Sequence, residues 1–343
     1  MKLAEILEEL CALGGISGDE CDVAEYICKK LEGKCEYSID NLGNVIAYKK
    51  GAKRAPHRVQ ISAHMDEVGL TVTYINADGT LKFSTVGGVD PRVLYGKRVL
   101  IGKDRLLGVI GGKAIHNLSE SERSAAPQES ELVIDAGFSS REEAQKRISL
   151  GESVIFDSRF MRFGDGDGMI KARAIDDRAG CAIMLALIDE ALEYDTCFTF
   201  VVQEEVGLRG SGAAAFTVDP EMAIVLESTT AADIPSAAGE KRVCEVGKGP
   251  VVSYMDRRTI YDKQLYALAF DTARGLDIPC QTKTMVAGGN DAGAISLARG
   301  GVRTAAISLP CRYLHSPSCV IAESDLENAY LLTKNLLKRM QEL

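Results

Sequence analysis

The stretch CFTFVVQEEVGLRG, residues 197–210, runs from an apolar segment into two adjacent carboxylates, Glu204 and Glu205, and then into a glycine-punctuated loop. Phe198-Thr199-Phe200-Val201-Val202 is dominated by aromatic and β-branched residues, a pattern that predicts a buried strand. The acidic pair therefore falls where a sheet stops, and open α/β sheets bind ligands beyond the carboxyl ends of their strands. Two neighbouring glutamates in a solvated loop would be ordinary; their place directly behind FTFVV singles them out.

Working outward, an α/β texture covers both ends of the chain. CEYSIDNLGNVIAYKKG, residues 35–51, reads as strand, turn at Asn41-Leu42-Gly43-Asn44, and strand, with another strand over Arg58–Ala63. Ser17-Gly18-Asp19-Glu20 fits a capping box, Ser17 accepting from the first turn and Glu20 reaching back, ahead of a helix with Ala24, Ile27, Cys28 and Leu31 on one face. Further on come an apolar helix over Ala179–Leu192 and strands over Phe198–Val202, Ala223–Leu226 and Thr304–Leu309. A second capping box, Ser324-Asp325-Leu326-Glu327, heads a final helix. Its Leu326, Tyr330, Leu337 and Met340 share a face, and its Lys338 and Arg339 complement the carbonyl end.

Between residues 67 and 165 the texture changes to short β-like pieces (LTVTYI, LKFSTV, KRVLIG, LLGVIGG) separated by Gly and Asp turns, with only Arg141–Ser149 helical. The expected organisation is a discontinuous α/β domain, residues 1–66 and 166–343, with a small β domain inserted over 67–165. Gly164-Asp165-Gly166-Asp167-Gly168 lacks the spaced ligands and terminal glutamate of an EF-hand, so a flexible hinge is expected there.

The chain has 343 residues, 46% of them hydrophobic, enough to fill a sizeable core. Its net charge of −9 argues against nucleic acid or an anionic membrane as the main partner. The N-terminus carries acids through its apolar positions and reads as neither a signal peptide nor a membrane span, so a cytoplasmic protein is expected. The ten cysteines include no CxxC and are expected to be reduced.

Of four histidines, His64 follows the strand VQISA and His315 follows TAAISLPCRYL. Taken alone, each fits an ordinary hydrogen-bonded role. Carboxylates recur in the same structural position, however: Asp66 two residues past His64, Asp176-Asp177 ahead of a buried helix, Glu204-Glu205, and Glu227 at the end of AIVL. So many acids at one water-poor edge would repel one another unless cations neutralised them, which points to two divalent metal ions. Imidazole nitrogen with carboxylate oxygen suits zinc or cobalt first and manganese next, and Asp176 is the natural bridge between the ions. One of the two adjacent glutamates would then bind metal while its neighbour handles a proton, and Asp66 would orient His64 through the other ring nitrogen.

SAHMDEVG, AIDDRAG, VVQEEVGLRG, GGNDAGAI and RYLHSPSCV, with ISGDE, DNLGNVIA, VGGVDPRVLYGKRV and GVIGGKAIH, together resemble the tetrahedral (TET) aminopeptidases. These are also called deblocking or glutamyl aminopeptidases, and relatives are sometimes labelled cellulase M. The resemblance runs nearly end to end. It implies a mixed-sheet dinuclear metallopeptidase core with helices on both faces and an inserted PDZ-like β-barrel. It further implies one metal on His64, Asp176 and Glu227, a second on Asp176, Glu205 and His315, Glu204 as general base, and Asp66 orienting His64. Substrates would be peptides with a free N-terminus, and assembly would be a homo-oligomer, a tetrahedral dodecamer or its dimer. Glu227 stands where the family usually has Asp, and Asn290 where Thr is usual. The family also carries a histidine at the position of His116, which in an assembly could reach a neighbour's site.

Two rivals remain open on the sequence. Paired carboxylates also serve metal-independent glycosidases, against which stand the histidines and the absence of tryptophan for stacking on sugars. The same ligands could instead hold metals with closed shells in a non-catalytic assembly protein.

Overall fold

The computed structural model describes residues 2–343. Helices α1 (Leu3–Ala12) and α2 (Cys21–Leu31) lead into β1 (Glu36–Ile39), β2 (Val45–Lys49) and β3 (Val59–His64). Next come β4 (Gly69–Ile75), β5 (Leu81–Val86), β6 (Arg98–Ile101), β7 (Leu106–Gly111), α3 (Glu120–Ser124), β8 (Val133–Asp135), α4 (Arg141–Ala144) and β9 (Ser153–Phe156). A hairpin of β10 (Met161–Phe163) and β11 (Met169–Ala172) precedes α5 (Ile175–Ile188), β12 (Thr196–Val201), α6 (Arg209–Val218), β13 (Met222–Thr230) and β14 (Val251–Val252). The chain ends with α7 (Lys263–Gly275), β15 (Gln281–Thr282), α8 (Ala292–Ile295), β16 (Arg303–Cys311), β17 (Cys319–Ala322) and α9 (Glu323–Met340).

An eight-stranded mixed sheet, ordered β1-β2-β12-β3-β13-β16-β14-β15, forms the centre. Its inner strands β12, β3, β13 and β16 are parallel, and β2 and β14 flank them antiparallel. Every residue of β12 is buried, because helices cover both faces, and that is why its sequence does not alternate. Phe198, Phe200, Ile224, Leu226, Ile307 and Leu309 pack on the layer containing α1, α5, α7 and α9. Ala223, Val225 and Ala306 face Ala215 of α6 and Ala292 and Ile295 of α8 on the opposite side. Burying each phenylalanine contributes about 2–3 kcal/mol, so β12 anchors the sheet as well as the acidic loop behind it.

The strands β4-β5-β8-β7-β6-β9 close into an antiparallel barrel around its own core, which includes Leu70, Leu81, Val99, Ile110, Ile134 and Val154. The pieces LTVTYI, LKFSTV, KRVLIG and LLGVIGG supply β4, β5, β6 and β7. Where the chain enters the barrel, Glu67 pairs in parallel with Ile16 and its side chain meets Arg173 and, at 3.8 Å, Arg178. The wholly buried Arg178 also donates to the carbonyls of Leu10 at 3.0 Å and Gly15 at 3.4 Å, tying α1 to the head of α5.

Several local expectations are overturned. Residues 164–168 form the turn of the β10–β11 hairpin, whose second strand pairs with β17, so the segment is held in a three-stranded sheet and is not a free hinge. The helix expected over Arg141–Ser149 stops at Ala144. Strand β13 runs past Glu227 to Thr230, paired with β16 throughout. Neither proposed capping box forms: α2 starts after Glu20 without a side-chain cap, Ser17 and Glu20 being drawn to other partners, and α9 already starts at Glu323, which puts Ser324 inside the helix. Among the described residues no helix is long and apolar enough to cross a membrane.

Candidate metal centre

Because β12, β3 and β13 run parallel, their carboxyl ends deliver side chains to one edge. Val201 lies in register with His64, and Glu227 sits opposite Ser308 of β16. Asp176 comes from the head of α5, where it and Asp177 depart from helical geometry, and His315 from the loop between β16 and β17. Ala174, Gln203, Tyr313 and His315 all adopt positive φ, between 55° and 58°, a conformation that costs side-chain-bearing residues energy and that clusters here around the acidic edge.

The five expected ligands meet. His64 Nε2 lies 3.5 Å from Asp176 Oδ1 and 3.8 Å from Glu227 Oε2. His315 Nε2 lies 3.4 Å from Asp176 Oδ2 and 3.3 Å from Glu205 Oε2. Asp176 thus offers one oxygen to each triad, with ligand atoms in each mutually within 4.8 Å, and Glu204 lies equally close to His64 and Glu205. Both rings are turned so that Nε2 faces inward: Nδ1 of His64 bonds to the Asp66 carbonyl at 2.9 Å and Nδ1 of His315 to the Gly88 carbonyl at 3.0 Å.

The donor set fits cations. His64 Nε2 and Asp176 Oδ1 are buried without a hydrogen-bond partner, although a native interior rarely leaves such atoms unsatisfied. Burial drives the carboxyls of Glu204 and Glu227 well above the ordinary range and lifts Glu205 to about 7. Burial works the same way on Asp176, but the imidazoles of His315 and His64 outweigh it and hold that carboxylate below its usual value. His315 rises to about 10, since Asp176 and Glu205 more than offset its desolvation. A site this strained between like charges gains most from added positive charge.

Asp66 meets the His64 ring with both its carbonyl and its carboxylate. The ring is held mainly by the Asp66 carbonyl, with Oδ1 farther away at 3.5 Å. The carboxylate also accepts from the backbone N–H of Glu204 at 3.0 Å, from that of Glu205 at 3.1 Å and from Ser17 Oγ at 2.6 Å. Other groups that shape the site escaped the sequence reading. Glu20 accepts from Gln203 N at 3.1 Å, Asn44 Oδ1 from Val202 N at 2.9 Å, and the Asp291 N–H donates to Glu227 Oε1 at 3.4 Å. Asn44 sat in a recognised turn, and its burial was the missing signal. Asn290 accepts from Ala292 N and Tyr261 OH. His116 is exposed in a one-turn helix and belongs to neither triad.

Asp176, Glu204, Glu205, Glu227, Asn290 and His315 line a cleft of about 950 Å³ between the sheet edge and the barrel. Among known proteins, the lysyl aminopeptidase of Pyrococcus furiosus is 33% identical over 350 residues, covering 99% of this chain and 98% of that one. The Pyrococcus horikoshii TET1 peptidase, described as assembling into a tetrahedron or a large octahedral shell, superposes with a TM-score of 0.86. It is 32% identical and covers 98% of this chain and 99% of its own. A Thermotoga maritima structure described as an endoglucanase is 37% identical with a TM-score of 0.80, covering 98% and 97%. The family model for M42 glutamyl aminopeptidases matches residues 43–332, and with these folds and this sheet-edge cluster the chain belongs to that family.

Proposed function

We propose that the chain is a co-catalytic metal aminopeptidase that removes the N-terminal residue from peptides. The observation that carries this reading is the pair of triads sharing Asp176, with Glu204 within the same reach of His64 and Glu205. His64, Asp176 and Glu227 would hold one divalent ion, and Asp176, Glu205 and His315 the other. When bound, the ions, zinc or cobalt in the first instance, supply Lewis acidity toward a carbonyl and acidify a water.

The remaining work falls to the chain's own groups. Glu204, whose burial raises its affinity for protons, acts as general base and returns a proton to the leaving amine. Asp66 keeps Glu204 and Glu205 in register by accepting from both backbone N–H groups, and fixes His64 through its carbonyl. A nearby acid, together with the ions when bound, would hold a substrate's free α-amino group, which limits cleavage to the first residue. Residues 67–165 form the inserted assembly domain, residues 1–66 and 166–343 the catalytic one, and the protein works as a cytoplasmic homo-oligomer; the shells described for the TET1 relative support the last point.

The test is hydrolysis of aminoacyl chromogenic substrates before and after chelation, with zinc or cobalt added back, in the wild type and in Glu204→Gln. Expected are chelator-sensitive hydrolysis and a Glu204→Gln variant that keeps fold and metal but loses activity by about 10²–10⁴-fold. Chelator-resistant cleavage of a glucan would favour a glycosidase. Metal binding without turnover would favour a purely structural site.

A further inference from the structure

The two triads are not held alike. His64 and Glu227 of the first are steadied from within the α/β core, by the carbonyl of Asp66 and the N–H of Asp291. The second leans on the inserted barrel. Gly87 and Gly88 follow directly on β5, Gly88 lines the cleft, and its carbonyl accepts from His315 Nδ1 at 3.0 Å. That bond leaves Nε2 bare toward Asp176 at 3.4 Å and Glu205 at 3.3 Å.

So close an approach requires glycine at both positions. Gly87 sits at φ 81°, and a Cβ there would meet Val68 Cγ1 at 2.8 Å and Glu205 Cβ at 3.2 Å. A Cβ on Gly88 would meet His315 Nδ1 at 3.2 Å and Cε1 at 3.6 Å, so the ring would have to give way. Glu205 and His315, against which the pair packs, are the two members of the second triad that the first does not share. A further contact comes from the other end of the barrel. Ser158, two residues past β9, donates to the Pro317 carbonyl in the loop that carries His315, and Lys171 Nζ holds the Ser158 hydroxyl at 2.7 Å. Segments flanking the barrel on either side therefore grip the same loop.

On the two-metal reading, we infer that Gly87, Gly88 and Ser158 are positioning residues for the second ion, and that the seating of the barrel on the core sets how tightly Glu205 and His315 hold it. A displaced barrel carries the Gly88 carbonyl away from His315 and loosens the hold on Pro317, while the supports of His64 and Glu227 stay in the core. The two ions therefore answer differently to the same change in the barrel, because outer groups that orient a ligand tune the metal it binds.

The experiment is a calorimetric zinc titration of the chelator-stripped full chain, for wild type, Gly88→Ala, Ser158→Ala, Ser158→Thr and Gly111→Ala. His315→Ala and His64→Ala mark which binding step belongs to which triad. Gly111 is a barrel glycine with nothing within 4 Å of an added Cβ, and so controls for glycine replacement itself. Wild type should show two steps. Gly88→Ala and Ser158→Ala should weaken by about 10–100-fold the step that His315→Ala removes and leave the step that His64→Ala removes unchanged. Ser158→Thr, which keeps the hydroxyl, and Gly111→Ala should both titrate as wild type. Ser158→Ala adds no atoms and keeps the measurement available if Gly88→Ala misfolds. Equal weakening of both steps, or no weakening in either variant, overturns the inference. A wild type that takes up fewer than two zinc ions would instead sink the two-metal reading.

Discussion

Replacing Asp66 by alanine separates two jobs that one residue performs. The wholly buried carboxylate accepts from Ser17 Oγ at 2.6 Å, Glu204 N at 3.0 Å and Glu205 N at 3.1 Å. Hydrogen bonds to an ionised acceptor contribute roughly 1.5–3 kcal/mol each, but bonds sharing one acceptor are not additive, and removing the charge also relieves its desolvation. The expected net loss is about 3–5 kcal/mol, read from urea denaturation of the metal-loaded protein. His64 should stay in place, because its Nδ1 keeps the carbonyl of residue 66 at 2.9 Å. The damage should therefore fall on the Glu204–Glu205 loop: in a calorimetric metal titration the affinity carried by Glu205 and His315 should weaken by about 10–100-fold, more than that carried by His64 and Glu227. Destabilisation below about 1 kcal/mol would refute the reasoning. So would preferential loss of the His64 half, which would make the carboxylate a ring-orienting group after all.

Ser17→Ala removes one donor to Asp66 and should cost about 1 kcal/mol in the same denaturation assay, with a smaller echo of the Asp66→Ala loss in activity. Arg178→Met strips one donor each from the Leu10 and Gly15 carbonyls, which keep the backbone N–H groups of Leu13 and Glu67, and leaves Glu67 with Arg173 alone, so thermal unfolding should register about 2–3 kcal/mol of lost stability; a shift under about 1 kcal/mol would contradict the role given to this junction. The metal-free protein should lose stability as pH rises. Glu205 at about 7 and Asp291 at about 6 lie above their ordinary values of 4.5 and 3.8, so the folded state binds the extra protons and the penalty grows between roughly pH 4 and 7. His315, raised to about 10, stabilises fully below 6.5 and loses that contribution toward 10, so the signs agree; Asp66 and Asp176, depressed, act only below about pH 4. Melting temperatures from pH 5 to 9 that stay flat without metal would refute this, and added zinc should flatten the slope by supplying the missing charge.

The layers of the fold were legible because they rest on patterns that tertiary structure does not overrule. Strands such as β12 and β7 are continuous or alternating apolar runs bounded by turn residues, and those signals survive any long-range rearrangement. Where the reading went wrong, a local motif was outbid. A neutral N-cap is worth about 1 kcal/mol, whereas the hydroxyl of Ser17 gains more as a donor to the buried charge of Asp66. Glu20 leaves the same box to hold Gly18 N and Gln203 N, and in the second α9 has already begun at Glu323, so Ser324 lies within the helix and not at its cap. No local window of sequence contains both Ser17 and Asp66, or both Glu20 and Gln203.

The same distinction explains why the candidate ligands could be placed at one edge and their supports could not. A carboxylate or imidazole placed just past a buried strand must be somewhere near that strand's end, so position along the chain alone brings His64 and Glu205 to one edge, with Asp176 and His315 supplied by loops that return there. Glu227 shows the limit: β13 continues beyond it, and it reaches the edge only because its side chain leaves the strand toward His64, steadied by the Asp291 N–H. What holds His64, His315 and Glu227 is a backbone group, the carbonyls of Asp66 and Gly88 and the N–H of Asp291, and backbone groups carry no residue-specific signature. A longer acid at position 227 can therefore keep its oxygen beside His64 wherever the GGND loop, residues 288–291, supplies that N–H. Loop and side-chain length have to be judged together when the metal preference of this site is measured.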